Sequence, residues 1–159
     1  MKIAIIGMGR VGATIAYSIV MKGLCDHLML ANRTTSTAEG DAVDLQHGLA
    51  FCQHATHITS GSIADARNAD IVVLTTSVPT TKVMTSRMQL GIANVALFKK
   101  LIPVISRNNP HAILLVVSNP VDALTRLTTE LSGFPSSQVI GIGTLIDSAR
   151  FRVMLSQME

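Results

Sequence analysis

Ile3-Ala4-Ile5-Ile6-Gly7-Met8-Gly9-Arg10-Val11-Gly12 decides how the rest of this chain is read. An uninterrupted apolar run, a glycine-rich turn and a helix opening at Val11 are the parts of a dinucleotide-binding strand–turn–helix unit. Gly7 permits the tight turn, Gly9 lets the backbone approach a pyrophosphate, and Gly12 lets the helix lie close on the strand. The first helical amides, with the positive end of the helix dipole behind them, then face the phosphates. This reading assigns Gly7, Met8, Gly9, Arg10, Val11 and Gly12 to a cofactor site.

Outward from that unit, strand-like runs recur at 2–6, 27–31, 56–60, 70–75, 112–117 and 138–141. Helical stretches alternate with them at 11–22, 38–50, 86–107 and 120–131, and a last one starts near Ile146. Several strands are near-continuous Ile, Val and Leu, the pattern of strands covered on both faces. Strict alternation predicts an α/β fold, a doubly wound parallel sheet of the Rossmann type. Its ligand is expected at the carboxyl ends of the strands.

At 159 residues the chain is the length of one domain, without repeats, low-complexity tracts or a linker. Apolar residues make up 48% and charged residues 14%, so surplus surface hydrophobicity points to subunit or domain interfaces. No uninterrupted apolar run approaches the ~20 residues of a membrane span, so no membrane partner is expected. The net charge of +3 is small, and with one Tyr (Tyr17) and no Trp a base-stacking platform for nucleic acid is absent. Cys25 and Cys52 lack metal or redox spacing and read as reduced, buried thiols of a cytoplasmic protein. One Lys followed directly by a strand argues against a signal peptide. His27, His54, His57 and His111 read as structural, and His47 as a packing or interface residue.

Three further segments carry a resemblance. They are Asp41-Ala-Val-Asp-Leu-Gln-His-Gly48, Ser118-Asn-Pro-Val-Asp122, and Val139-Ile-Gly-Ile-Gly-Thr-Leu-Ile-Asp-Ser-Ala-Arg-Phe-Arg152. With the N-terminal glycines and Arg87 they resemble, in order along the whole chain, the lactate/malate dehydrogenase family of L-2-hydroxyacid dehydrogenases. The resemblance implies an NAD(P)-dependent hydride transfer between the nicotinamide and a small 2-hydroxy or 2-oxo acid. Arg150 matches the family's carboxylate clamp, a role suited to the planar guanidinium fork. Asp147 matches the acid that orients the catalytic histidine, and its three-residue spacing from Arg150 puts both on one helix face. Arg87 matches the arginine of the mobile loop that polarises the substrate carbonyl. Asn119 matches a residue that hydrogen-bonds the substrate or the nicotinamide region. The helix at 38–50, with Leu45, Leu49 and Phe51, resembles the family's subunit-contact helix, so a homo-oligomer is expected.

The sequence departs from the family pattern in three ways. The family's catalytic histidine lies in a segment after the helix bearing Asp147 and Arg150, whereas this sequence ends at Glu159. The expectation is therefore a cofactor-binding domain over 1–145 and, at 146–159, the first helix of a substrate domain. The alternative is a non-catalytic dinucleotide-binding or interaction module derived from such an enzyme. Second, twenty residues after Gly12, where an acid would pair with the ribose 2′-OH, stands Asn32, followed by Arg33 and Thr34. Loss of the carboxylate, with a cation next to it, points to NADP over NAD. A relaxed NAD site in which Asn32 bonds the ribose is the alternative. Third, six residues before Arg87, where lactate enzymes carry Gln and malate enzymes Arg, stands Thr81, beside Lys82. Leu145 stands where lactate enzymes usually carry Asn, as in the branched-chain 2-hydroxyacid enzymes. Thr81 is a substrate-pocket candidate on this alignment.

Overall fold

The computed structural model describes residues 1–79 and 86–158. Thr81 and Lys82 lie outside the described residues. The strands are β1 (Lys2–Ile6), β2 (His27–Ala31), β3 (His57–Gly61), β4 (Ile71–Leu74), β5 (Ile113–Val116) and β6 (Val139–Gly141). The helices are α1 (Arg10–Lys22), α2 (Thr35–Gly48), α3 (Arg87–Asn108), α4 (Val121–Ser132) and α5 (Leu145–Ser156). The six strands form one sheet in the order β3-β2-β1-β4-β5-β6, and every pairing is parallel. This is the doubly wound sheet expected from the alternation.

The two-residue period of the strands divides the core in two. Ala4 and Ile6, with Met29, Ala31, Val72, Leu74, Leu114 and Val116, meet Phe98, Ile102 and Ile105 of α3 and Leu124 of α4. Ile3 and Ile5, with Leu28, Leu30, Ile58 and Val73, meet Ala16, Ile19 and Val20 of α1 and Ala38 and Ala42 of α2. Consecutive apolar residues in one strand thus enter opposite layers, which is why the strands read as unbroken Ile/Val/Leu runs. Each large side chain so buried contributes roughly 1.5–3 kcal/mol of transfer free energy.

The turns before β4 and β5 are held by one buried side chain. Asn109 accepts from the Ala69 amide at 2.9 Å and donates from Nδ2 to the carbonyls of Ala66 and Ile105, each at 2.9 Å.

α3 has the length and mean hydropathy (1.4) of a membrane-crossing helix, although Lys99 and Lys100 interrupt its apolar run. Its packing gives the physical reason: Phe98, Ile102 and Ile105 are sealed against the sheet while Lys99 and Lys100 stay exposed. It is the core helix of this layer.

α2 begins at Thr35, three residues before the expected 38, because the hydroxyl-rich Thr35-Ser36-Thr37 turn reads as loop yet suits a helix amino end. Cys25 is buried as expected, but Cys52 is only half-buried. It follows the short 3₁₀ turn Leu49–Phe51 and donates weakly to the Gly48 carbonyl and to Met21 Sδ. His27 and His57 pair across β2 and β3 with ring centres 4.8 Å apart, and His27 Nε2 bonds Thr59 Oγ1 at 2.8 Å.

Candidate dinucleotide-binding site

The chain leaves β1 to build β2 and β3 on one side and returns to build β4 on the other. A crevice must therefore open beyond the carboxyl ends of β1 and β4, where ligands of such sheets bind. The glycine turn sits there. Gly7 has φ +108°, and its amide donates to the Ala31 carbonyl at 2.8 Å, so the turn is tied to the end of β2. An added Cβ at Gly12 would lie 2.1 Å from the Gly7 carbonyl oxygen, so α1 reaches β1 as closely as a backbone can.

At Gly9 the space is open, with no atom within 4 Å of an added Cβ. Gly9 is also the N-cap of α1, without a side-chain cap, and no acidic residue stands in the first turn. The amino end of α1 therefore offers amide donors, a positive dipole and room, which fits a diphosphate. Arg10 and Val11 are exposed at this end, whereas the Met8 side chain is buried among the α1/α2 layer of the core. Met8 accordingly contributes to the turn through its backbone.

On the β4 side, Thr75 Oγ1 donates to the carbonyls of Gly7 at 2.7 Å and Ile6 at 3.1 Å, locking the strand end to the turn. Next to it lies a cleft of about 260 Å³ lined by Val11, Thr75, Ser77, Leu90, Asn94, Val117, Ser118 and Asn119. Asn119 and Val11 thus line the same cleft. Thr75, Ser77, Asn94 and Ser118 were not anticipated as wall residues. Ser118 stood inside the Ser-Asn-Pro-Val-Asp segment, and Asn94 is a lone amide within an apolar helix face, so both left a signal in the sequence.

On the opposite side, Asn32 follows β2, and its amide donates to the Gly61 carbonyl at 3.2 Å. Arg33 and Thr34 are exposed, and Thr34 is the N-cap of α2 with no side-chain cap. These residues follow the carboxyl end of β2, the position expected to read the ribose of a dinucleotide.

Arg87, Asp147 and Arg150 are not among the residues that line the cleft. Arg87 is exposed at the first position of α3, where the Ser86 hydroxyl caps the helix by accepting from the Gln89 amide at 3.2 Å. Asp147 accepts from Arg150 Nη1 at 3.2 Å, so the two share a helix face as their spacing required. Both are exposed, and α5 buries none of its residues. A second concavity of about 570 Å³ runs along Ile140–Leu145 and the Ser148–Ala149 side of α5, with neither Asp147 nor Arg150 in its lining. Among the described residues no cluster of three or more metal-ligating side chains occurs.

Comparison with known proteins agrees with this geometry. The family model described as "lactate/malate dehydrogenase, NAD binding domain" matches residues 1–141. L-lactate dehydrogenase 1 of Clostridium acetobutylicum is 43% identical over 156 residues, covering 98% of this chain and 49% of that protein. An L-lactate dehydrogenase of Clostridium botulinum is 44% identical over 151 residues, 95% of this chain and 47% of its own length. A lactate dehydrogenase from a Medee basin deep-sea metagenome library superposes with TM-score 0.90 at 38% identity, over 98% of this chain and 49% of that one. The minor L-lactate dehydrogenase of Enterococcus mundtii, solved in a ligand-bound form, gives TM-score 0.91 at 34% identity with the same coverage. The chain spans about half the length of the curated relatives it matches.

Proposed function

The chain belongs to the lactate/malate dehydrogenase family, and on that premise we propose that it is the cofactor-binding half of an NAD(P)-dependent L-2-hydroxyacid dehydrogenase. The observation that carries this reading is the open, uncapped amino end of α1 at Gly9, directly over the closest strand–helix approach at Gly12. Gly7 to Gly12 would hold the diphosphate through backbone donors, and Asn32 to Thr34 the adenosine ribose. Asn119, beside Val11, would meet the nicotinamide end. When bound, the dinucleotide supplies a hydride donor or acceptor for a small 2-hydroxy or 2-oxo acid.

In this reading Arg150 clamps the substrate carboxylate by a bidentate pair, and Arg87 polarises the carbonyl. Asp147 orients the acid/base histidine, a group outside residues 1–159. Asp147 is paired with Arg150 on the same exposed helix face. Residues 146–159 then form the first helix of the substrate domain, in keeping with an α5 that buries nothing against the sheet. Thr81, outside the described residues, stays a substrate-pocket candidate on its place in the sequence alone.

Three finer assignments follow. NADP is the preferred cofactor, because Asn32 brings no charge against a 2′-phosphate and Arg33, exposed beside it, offers a charge-assisted bond. Subunit contact runs through α2 and the turn after it: Leu45 and Leu49 pack inward, while Val43 (47%) and Phe51 (88%) stay exposed. A cytoplasmic location rests on the two thiols outside any disulfide.

Calorimetric titration of the purified chain with NADH and NADPH tests the assignment. Binding of either at the α1 crevice is expected, with NADPH tighter. Asn32→Asp should shift the preference towards NADH by about tenfold, the size of one exposed charge-assisted bond. Absence of binding by both nucleotides would refute the cofactor role, and tighter NADH binding in the unaltered chain would refute the phosphate assignment alone. Turnover with pyruvate, oxaloacetate and branched 2-oxo acids separates a catalytic half from a binding-only module.

A further inference from the structure

We infer that Asn94 is a positioning residue that sets the nicotinamide end of the crevice by hydrogen-bonding both of its lips at once. The inference rests on the dinucleotide reading above, because it concerns the half of the crevice that reading gives to the nicotinamide.

Asn94 is 1% exposed, a polar side chain on the mainly apolar buried face of α3. Its Oδ1 accepts from the Val78 amide at 2.8 Å and from Ser77 Oγ at 3.2 Å, both just beyond β4. Its Nδ2 donates to the Asn119 carbonyl at 2.8 Å, just beyond β5. One amide group thus satisfies an amide donor on one lip and a carbonyl on the other, and no single-purpose donor or acceptor could do both. Ser118 adds a parallel tie, donating to the Thr76 carbonyl at 2.6 Å.

The order of strands says what lies between these lips. The diphosphate site is at the end of β1 and the adenosine ribose site at the end of β2, so the other nucleoside must extend over β4 and β5. Val11, Ser77, Asn94 and Asn119 line the cleft found there. A buried side chain spanning 16 and 25 residues in sequence to reach each lip is therefore placed to fix the cleft's width and the aim of Asn119. A residue needed only for packing would be satisfied by an apolar side chain of equal size.

Two variants and a matched ligand pair test this. Asn94→Asp keeps the acceptor towards Val78 and Ser77 but sets an oxygen against the Asn119 carbonyl. Asn94→Leu removes both ties. Each is titrated with NADH and with ADP-ribose, which lacks the nicotinamide, or with NADPH and 2′-phospho-ADP-ribose if that pair binds tighter. Loss of roughly tenfold in affinity for the full dinucleotide, with ADP-ribose held within about twofold, is expected. Equal losses for both ligands, or none for either, would overturn the inference. If both Asn94 variants fail to fold, Ser77→Ala removes one tie from an exposed position. It should reproduce the selective loss at about two- to threefold, and unchanged selectivity there overturns the proposal. An unaltered chain that binds neither ligand would instead overturn the cofactor reading itself.

Discussion

Replacing Gly12 by alanine and Gly9 by alanine should produce opposite failures, since one glycine is a contact and the other is an opening. The Cβ introduced by Gly12→Ala would stand 2.1 Å from the Gly7 carbonyl oxygen and 3.0 Å from Thr75 Oγ1. A tolerable carbon–oxygen contact is about 3.3 Å, so roughly 1.2 Å of extra separation is needed. The Gly7 oxygen cannot yield, because its own residue donates to Ala31 and it accepts from Thr75. α1 must therefore lift, loosening Ala16, Ile19 and Val20 from the sheet. Overpacking of this kind costs about 3 kcal/mol. The better helix propensity of alanine returns about 1 kcal/mol, leaving a net loss of about 2 kcal/mol. For a chain of this size that lowers Tm by about 4–8 °C. At Gly9 an added Cβ meets nothing within 4 Å and φ is −97°, so alanine costs less than about 1 kcal/mol as a poorer cap. Its methyl group would occupy the approach to the uncapped amides, lowering nucleotide affinity about tenfold or more. Differential scanning calorimetry and nucleotide titration on the same two proteins read both effects. A Gly12→Ala protein that melts with the unaltered chain, or a Gly9→Ala protein of undiminished affinity, would refute the reasoning.

Three other perturbations probe the frame around the site. Asn109→Ala strips partners from the Ala69 amide and the Ala66 carbonyl, both held by that buried side chain, and should cost about 3 kcal/mol in urea denaturation. Thr75→Val keeps the shape but removes the hydroxyl donated to Gly7 and Ile6, with an expected loss of about 1 kcal/mol read the same way. His27 is held below the ordinary histidine value by burial first, then by the Lys2 and His57 charges. The unfolded chain therefore binds more protons than the folded one once pH falls below about 6.5, so stability declines with acidification across that window. Melting curves between pH 7.5 and pH 5 should show a steeper acid decline for the unaltered chain than for His27→Gln; parallel curves would exclude this source.

What sequence alone disclosed follows from the range of the interactions involved. Every strand was found within a residue or so, because Ile3-Ala4-Ile5-Ile6 and its counterparts must satisfy two apolar layers locally, one residue at a time. The glycine turn was legible for the same reason: Gly7 to Gly12 solve a steric problem within six neighbouring positions. The crevice wall was not, because Thr75 meets Gly7 across 68 residues, Ser118 meets Thr76 across 42 and Asn94 meets Asn119 across 25. A hydroxyl or amide that pairs at such separations leaves no period, only a polar residue where an apolar one was due. The Asp147–Arg150 pair is the instructive intermediate. Its shared face follows from helix geometry, yet both side chains are exposed and α5 buries none of its residues, so the described packing assigns the pair no partner beyond itself. The open amino end of α1 and the Asp147–Arg150 pair exposed on α5 thus differ in what builds them. Backbone and strand order build the first, while helix spacing alone sets the second.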